Sequence, residues 1–231
     1  MIYDNIVKLK ERISAVCEKT GRNASSIAVI AVSKGRTVEE IEEVLRFGIR
    51  DIGENRIQEA QSKFAYFKSI KKGLIPKSWH FIGRLQTNKV KQAVGIFDLI
   101  HSVDSIRLAE AIDKEARAAG KIQDCLIQVN TSFEGTKSGV YPQDLIPFFL
   151  EADRLPNVKI RGLMTIAPVS SNPENIRGFF RDLAAWKEKL NVLKCRDDVL
   201  QIVSMGMSDD FEVAIEEGST MVRIGRAIFS S

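Results

Sequence analysis

Lys34 closes the run Ile27-Ala28-Val29-Ile30-Ala31-Val32-Ser33, where a flexible cation adds nothing to packing. An apolar surround disfavours the ammonium form and lowers its pKa, which is how lysines become nucleophiles that form Schiff bases with carbonyl compounds. The plainer alternative is a solvated lysine at the end of a strand. A second feature is the pair of glycine-containing turns Ser204-Met205-Gly206-Met207-Ser208 and Arg223-Ile224-Gly225-Arg226. Glycine lets backbone N–H groups approach an anion closely, so the two read either as a phosphate cup or as two tight turns. Asp209 and Asp210 would repel a phosphate on the axis of the helix they open. The anion is therefore expected against Ser204, Gly206 and the amides of Gly225 and Arg226, with the acids stabilising the helix dipole instead.

These residues need elements to bring them together. Short β-branched runs recur at 26–32, 49–53, 79–83, 97–102, 125–130, 158–164, 200–205 and 220–224. Helix-period stretches lie between them near 37–47, 55–68, 87–94, 104–119, 142–152, 173–190 and 208–217. That rhythm signals βα units, and eight of them in 231 residues predict a single α/β domain over 1–231, a (β/α)8 TIM barrel. The last strand runs into GRAIFSS, so no helix is expected after it, and the N-terminal helix 2–19 is expected to fill the vacant slot. A doubly wound sheet is the alternative, but no G-x-G-x-x-G follows the first strand.

In a barrel, chemistry gathers at the C-terminal strand ends. Those ends carry Lys34, Asn55, Gly83 with Arg84, His101, Asn130, Met164, Ser204 with Gly206, and Arg223 with Gly225. The strand starts show nothing comparable. Strands one and eight are neighbours in a closed barrel, so Lys34 and Arg223 through Arg226 should face one cavity. An amine beside a phosphate cup is the arrangement pyridoxal phosphate requires. The remaining candidates have structural readings: His80 and His101 as satisfied supporting histidines and not bases, Met205, Met207 and Met221 as core, Glu39, Glu40, Glu42 and Glu43 as an outer helix face. Lysines 63, 68, 71, 72 and 77 read as a solvated basic face.

Composition bounds the partners. Hydrophobic residues make up 44% and charged residues 28%, which excludes a disordered chain. A net charge of +4 is too slight for a nucleic-acid footprint. Cys17, Cys125 and Cys195 are odd in number and lack metal-type spacing, which suits a reducing compartment. Charges interrupt every apolar stretch of MIYDNIVKLKERI, so neither a signal peptide nor a membrane span is expected, and the reading is cytoplasmic.

The motifs resemble those of the pyridoxal phosphate homeostasis proteins, single-domain relatives of the alanine racemase N-terminal barrel. The resemblance rests on Ala31-Val32-Ser33-Lys34, Gly53-Glu54-Asn55 with Gln58-Glu59, and Trp79-His80-Phe81-Ile82-Gly83 with Leu85-Gln86 and Asn88-Lys89. It continues through Lys137-Ser138-Gly139, Arg161-Gly162-Leu163-Met164, Ser204 through Asp210 and Gly218 through Gly225, nearly the whole chain. It implies Lys34 as the Schiff-base lysine, Ser204 and the amides near Gly225 at the phosphate, Arg223 beside the pyridine nitrogen and Asn55 along the ring. Lys89 and Lys137 would be secondary acceptors. The implied role is to bind, buffer and deliver the cofactor, as a monomer or weak dimer, with apo-enzymes that use it as recipients. Arg226 departs from the family pattern, which has a small residue there, often Ser or Thr. Competing readings are a racemase-like enzyme on the same barrel, for which this chain leaves no room for a second β-domain, and a cofactor-free Schiff-base lyase.

Overall fold

Runs of Val, Ile, Leu and Ala bounded by turn residues suit strands buried on both faces, as parallel barrels require. In the computed structural model, which describes residues 1–70, 73–135, 137–193 and 199–230, they form β1 (Ala28–Val32), β2 (Asp51–Glu54), β3 (Ser78–Phe81), β4 (Leu99–Val103), β5 (Gln123–Gln128), β6 (Val158–Met164), β7 (Ile202–Ser204) and β8 (Met221–Ile224). All pair in parallel and close into a barrel in chain order, with Ile30 of β1 in register with Arg223 of β8 on one side and Asp51 of β2 on the other.

The helices are α1 (Ile2–Lys19), α2 (Val38–Arg46), α3 (Ile57–Ser69), α4 (Val90–Ile96), α5 (Ile106–Ala118), α6 (Leu145–Ala152), α7 (Arg177–Leu193), α8 (Phe211–Glu216) and α9 (Arg226–Phe229). α2 starts at the capping box read from the sequence: Glu40 N–H donates to Thr37 Oγ1 at 3.3 Å and Thr37 N–H to Glu40 Oε2 at 2.8 Å. Asn172 likewise accepts from Glu174 N–H at 3.0 Å, ahead of a 3₁₀ turn that leads into α7. α1 buries Ile2, Ile6, Leu9, Ile13, Val16 and Cys17 at helical spacing and packs against α2, α8 and α9, filling the slot as expected. A short helix does follow β8, contrary to expectation: Asn5 Nδ2 donates to Ile228 O and Ser230 O at 3.0 and 2.9 Å, tying α9 to α1.

Most of the core lies between sheet and helices, while Ile30, Leu99, Leu126, Met164 and Met221 form a separate cluster. Beside it the barrel buries His80, His101, Ser204 and Arg223. Two glycines shape the mouth. A Cβ at Gly83 would lie 2.2 Å from Asn55 O, so only glycine lets the end of β3 close on the Asn55 backbone. Gly206 has φ +94° and packs under α8, where a Cβ would meet Ala214 at 2.7 Å.

Among the described residues no helix is long and apolar enough to cross a membrane, and no group of His, Cys, Asp and Glu could hold a metal ion. Cys17 and Cys125 are buried and unbonded; Cys195, with Lys71 and Lys72 of the expected basic face, lies outside the described residues.

Candidate functional site

Lys34 follows β1 directly, in a turn whose backbone is held from three sides. Ser33 N–H donates to Gly53 O at 3.0 Å and Ser33 Oγ to Glu54 Oε1 at 2.6 Å. Lys63 of α3 reaches underneath, donating to Ser33 O and Glu54 Oε1, both at 2.6 Å. Glu59 Oε2 accepts from Gly35 N–H at 2.9 Å. Glu54 is fully buried; burial pushes its carboxyl up, and the hydrogen bonds from Lys63 and Ser33 oppose that shift. Glu54 Oε2 has no partner among the described residues. Lys63 therefore does not belong to a solvated face: it is 7% exposed and ion-paired. The Lys34 side chain is itself exposed, so the apolar residues around it at the mouth do not enclose it.

Beside β1, β8 presents Arg223, buried and donating from Nη1 to Ser204 Oγ at 2.6 Å and from Nη2 to Thr165 O at 2.8 Å. Burial brings its pKa down to about 10, so it stays cationic at neutral pH. Ser204 and Gly206 differ from expectation. Both are buried and neither lines the mouth cavity: Ser204 Oγ is engaged by Arg223 and His101, and Gly206 serves the packing of α8. β7 ends at Ser204 as expected, but the Ser204 side chain faces the barrel interior, and Ser208, further along the same motif, reaches the cavity instead, its Oγ accepting from Ala227 N–H at 3.1 Å. Met207 was read as core but is exposed and lines the cavity. Asp210 Oδ1 accepts from Met207 N–H at 2.5 Å, and Asp209 pairs with Arg226, whose side chain is 74% exposed. Gly225, at φ −111°, has only ordinary contacts for an added Cβ, so it leaves space at the cup without being required by backbone strain.

Lys34, Asn55, Arg223, Gly225 and Arg226 meet around one cavity of about 370 Å³, with Val32, Arg36, Ile82, Ile166, Met207 and Ser208 completing its wall. That volume suits a small organic ligand. Cations at the ends of the neighbouring strands β1 and β8 suit an anionic one, and the lysine adds an amine able to condense with a carbonyl. Among the described residues the buried Asn55 Oδ1 has no partner, which leaves it an acceptor for a donor. A neighbouring cavity of about 250 Å³ shares Asn55, Ile82 and Ile166 and carries Lys137, whose Nζ donates to Glu134 at 2.8 Å. Lys89 lines a smaller recess of about 160 Å³ behind Asn55. The strand-start end is more polar than expected: Lys10, Arg50, Lys77 and Asp51 line a cavity of about 500 Å³ there. Its cations are partly engaged, Lys10 with Phe47 O at 2.8 Å and Arg50 with Ile75 O at 3.1 Å.

The family model described as alanine racemase, N-terminal domain, matches residues 5–231. The pyridoxal phosphate homeostasis protein of Aquifex aeolicus is 44% identical, the alignment covering 98% of this chain and 96% of the relative. The solved structure of PipY of Synechococcus elongatus with PLP bound is 33% identical, with a TM-score of 0.85 and full coverage of both chains. An alanine racemase of Clostridium difficile, 14% identical with a TM-score of 0.70, shares the fold over 99% of this chain and 56% of its own length.

Proposed function

Because this chain belongs to the family of the alanine racemase N-terminal domain, and within it to the pyridoxal phosphate homeostasis proteins, we propose that it binds pyridoxal 5'-phosphate in the cavity between β1 and β8 and serves to buffer and deliver that cofactor. The carrying observation is that an exposed lysine and a buried arginine flank one cavity of about 370 Å³ with an orphaned acceptor, Asn55 Oδ1, on its wall. When bound, the cofactor supplies an aldehyde and an electron-withdrawing ring.

Each residue then has a role set by its surroundings. Lys34 offers a reachable amine on a fixed backbone, the place for covalent attachment. Arg223 gives hydrogen bonds and accepts none, so the ring nitrogen it meets is held as an acceptor, without a proton. That weakens carbanion stabilisation, and with it racemisation or transamination. Ser208, the backbone at Gly225 and Arg226, and Arg36 form the anion-facing rim. The role is that of a carrier and not of an enzyme, in a reducing cytoplasm, with apo-enzymes that use pyridoxal phosphate as recipients. Lys137 and Lys89 are secondary acceptors.

Titrating the apo-protein with pyridoxal phosphate tests this reading. Wild type should turn yellow and saturate, and Lys34→Ala should lose the covalent absorption band while melting at the same temperature, since an exposed strand-end lysine contributes little packing. Turnover of any common amino acid at about 1 per second or faster, the ordinary lower range of enzymes, would contradict the carrier role.

A further inference from the structure

Arg223 ends a buried line of polar groups that the roles above leave unexplained. Ser204 Oγ, which accepts from Arg223 Nη1, lies 3.0 Å from His101 Nδ1. His101 Nε2 lies 3.0 Å from His80 Nδ1, and His80 Nε2 lies 3.3 Å from Asp51 Oδ1. Ser204, His101, His80 and Arg223 are all at most 5% exposed. Asp51 lines the cavity at the strand-start end and Arg223 the cavity at the mouth, so the line crosses the barrel interior.

The proton order along the line is fixed by its two ends. A guanidinium can only donate and a carboxylate can only accept. Arg223 fills one acceptor site of Ser204 Oγ, and among the described residues the remaining neighbour for the hydroxyl hydrogen is His101 Nδ1. His101 must then carry its proton on Nε2 and donate to His80 Nδ1, and His80 must carry its own on Nε2 and donate to Asp51. The reverse order would leave the Ser204 hydrogen buried without an acceptor and turn a His80 lone pair onto Asp51, both costly. Burial, with His80 and Arg223 nearby, keeps His101 neutral, consistent with a single ring proton.

We propose that Ser204, His101 and His80 are positioning residues for Arg223: a one-way chain of hydrogen bonds, begun by the guanidinium and ended by Asp51, that fixes which N–H groups Arg223 turns toward the pocket. Thr165 O holds the other arm of the guanidinium, so its plane is set by two acceptors at once. The consequence for ligand binding rests on the reading of Arg223 as a contact to pyridoxal phosphate; the proton order does not.

Two measurements separate these. Nitrogen-15 NMR of the imidazoles in the apo-protein at neutral pH should show both histidines protonated on Nε2, and an Nδ1–H form of either would overturn the chain. His101→Phe and His101→Asn, both checked for folding by circular dichroism, are then titrated with pyridoxal phosphate. His101→Phe should weaken binding about fivefold or more and shift the bound absorption band, whereas His101→Asn, which keeps an acceptor facing Ser204, should recover most of the loss. Equal affinity and an unchanged band in both variants would overturn the positioning role. Failure of wild type to bind pyridoxal phosphate, with the tautomers as expected, would overturn the proposed function and leave the proton order standing.

Discussion

At the β1–β2 end of the pocket a charged pair does the holding. Lys63 and Glu54 are both buried, Lys63 fastening the backbone carbonyl of Ser33 and Glu54 its hydroxyl, while the Lys34 side chain beyond them is left exposed. At the β7–β8 end the functional group is itself buried, and mostly neutral groups hold it: a serine hydroxyl, two imidazoles and a carbonyl. The difference suits the proposed roles. An amine proposed to attach and release a carbonyl compound has to move, so a fixed backbone with a free side chain serves it. A guanidinium proposed to meet one ring atom has to stay, so a fixed head serves it.

The charged end should be the more fragile. Lys63→Met leaves Glu54 buried without its cation, a change that costs about 3–5 kcal/mol for buried pairs. Replacing Glu54 by Leu as well should recover most of that, as measured by urea denaturation. The sign of the pH dependence sharpens the point. Burial already raises the Glu54 carboxyl above its ordinary 4.5, and more so without Lys63. The folded state then binds the proton more tightly than the unfolded chain, so the single variant should lose stability as pH rises above about 4.5 and be least impaired in acid. A cost below about 1 kcal/mol at pH 8 would show that the clamp carries little.

The neutral end should fail in the opposite direction. His101 is held well below its ordinary value of 6.5, mainly by burial. Below about 6.5 the unfolded chain takes up a proton that the folded state refuses, so stability falls with pH, by up to about 1.4 kcal/mol per unit until the folded-state value is reached. His101→Asn should lack this slope between pH 7 and 5. Smaller effects are expected on binding alone. Ser204→Ala, by releasing Arg223, should weaken pyridoxal phosphate affinity by about tenfold or more, and Arg226→Thr by less than about tenfold, because the exposed Arg226 guanidinium is turned to Asp209. If Arg226→Thr proves the more damaging, the phosphate is held by a side-chain clamp at the rim instead of the backbone and Ser208.

The barrel was legible in the sequence because each strand is a β-branched run and each α/β repeat has its own period. The slot for α1 followed from counting helices. Short α9 was not legible, since four residues carry no periodicity. Lys63 was misread as solvated although it falls in the buried stripe of α3 with Ile57, Ala60 and Phe67, a spacing visible in the chain. His80 and His101 read from the sequence as hydrogen-bonded supporting histidines and not as bases, but their pairing needed the register of β3 on β4, which sets His80 opposite Leu99 and so brings His101 alongside it. Ser204 does end its strand as the sequence indicates, but successive side chains of a strand point to opposite faces, and the sequence alone does not show that Ser204 turns inward to His101 and Arg223.

The central claim is that Lys34 is the attachment point for pyridoxal phosphate. Its most direct test is to load the wild-type protein with the cofactor, reduce with borohydride, and map the mass increment by peptide sequencing. One cofactor per chain on the peptide containing Lys34 is the predicted result. The increment on Lys89 or Lys137 with Lys34 unmodified, or no increment at all, would contradict the account.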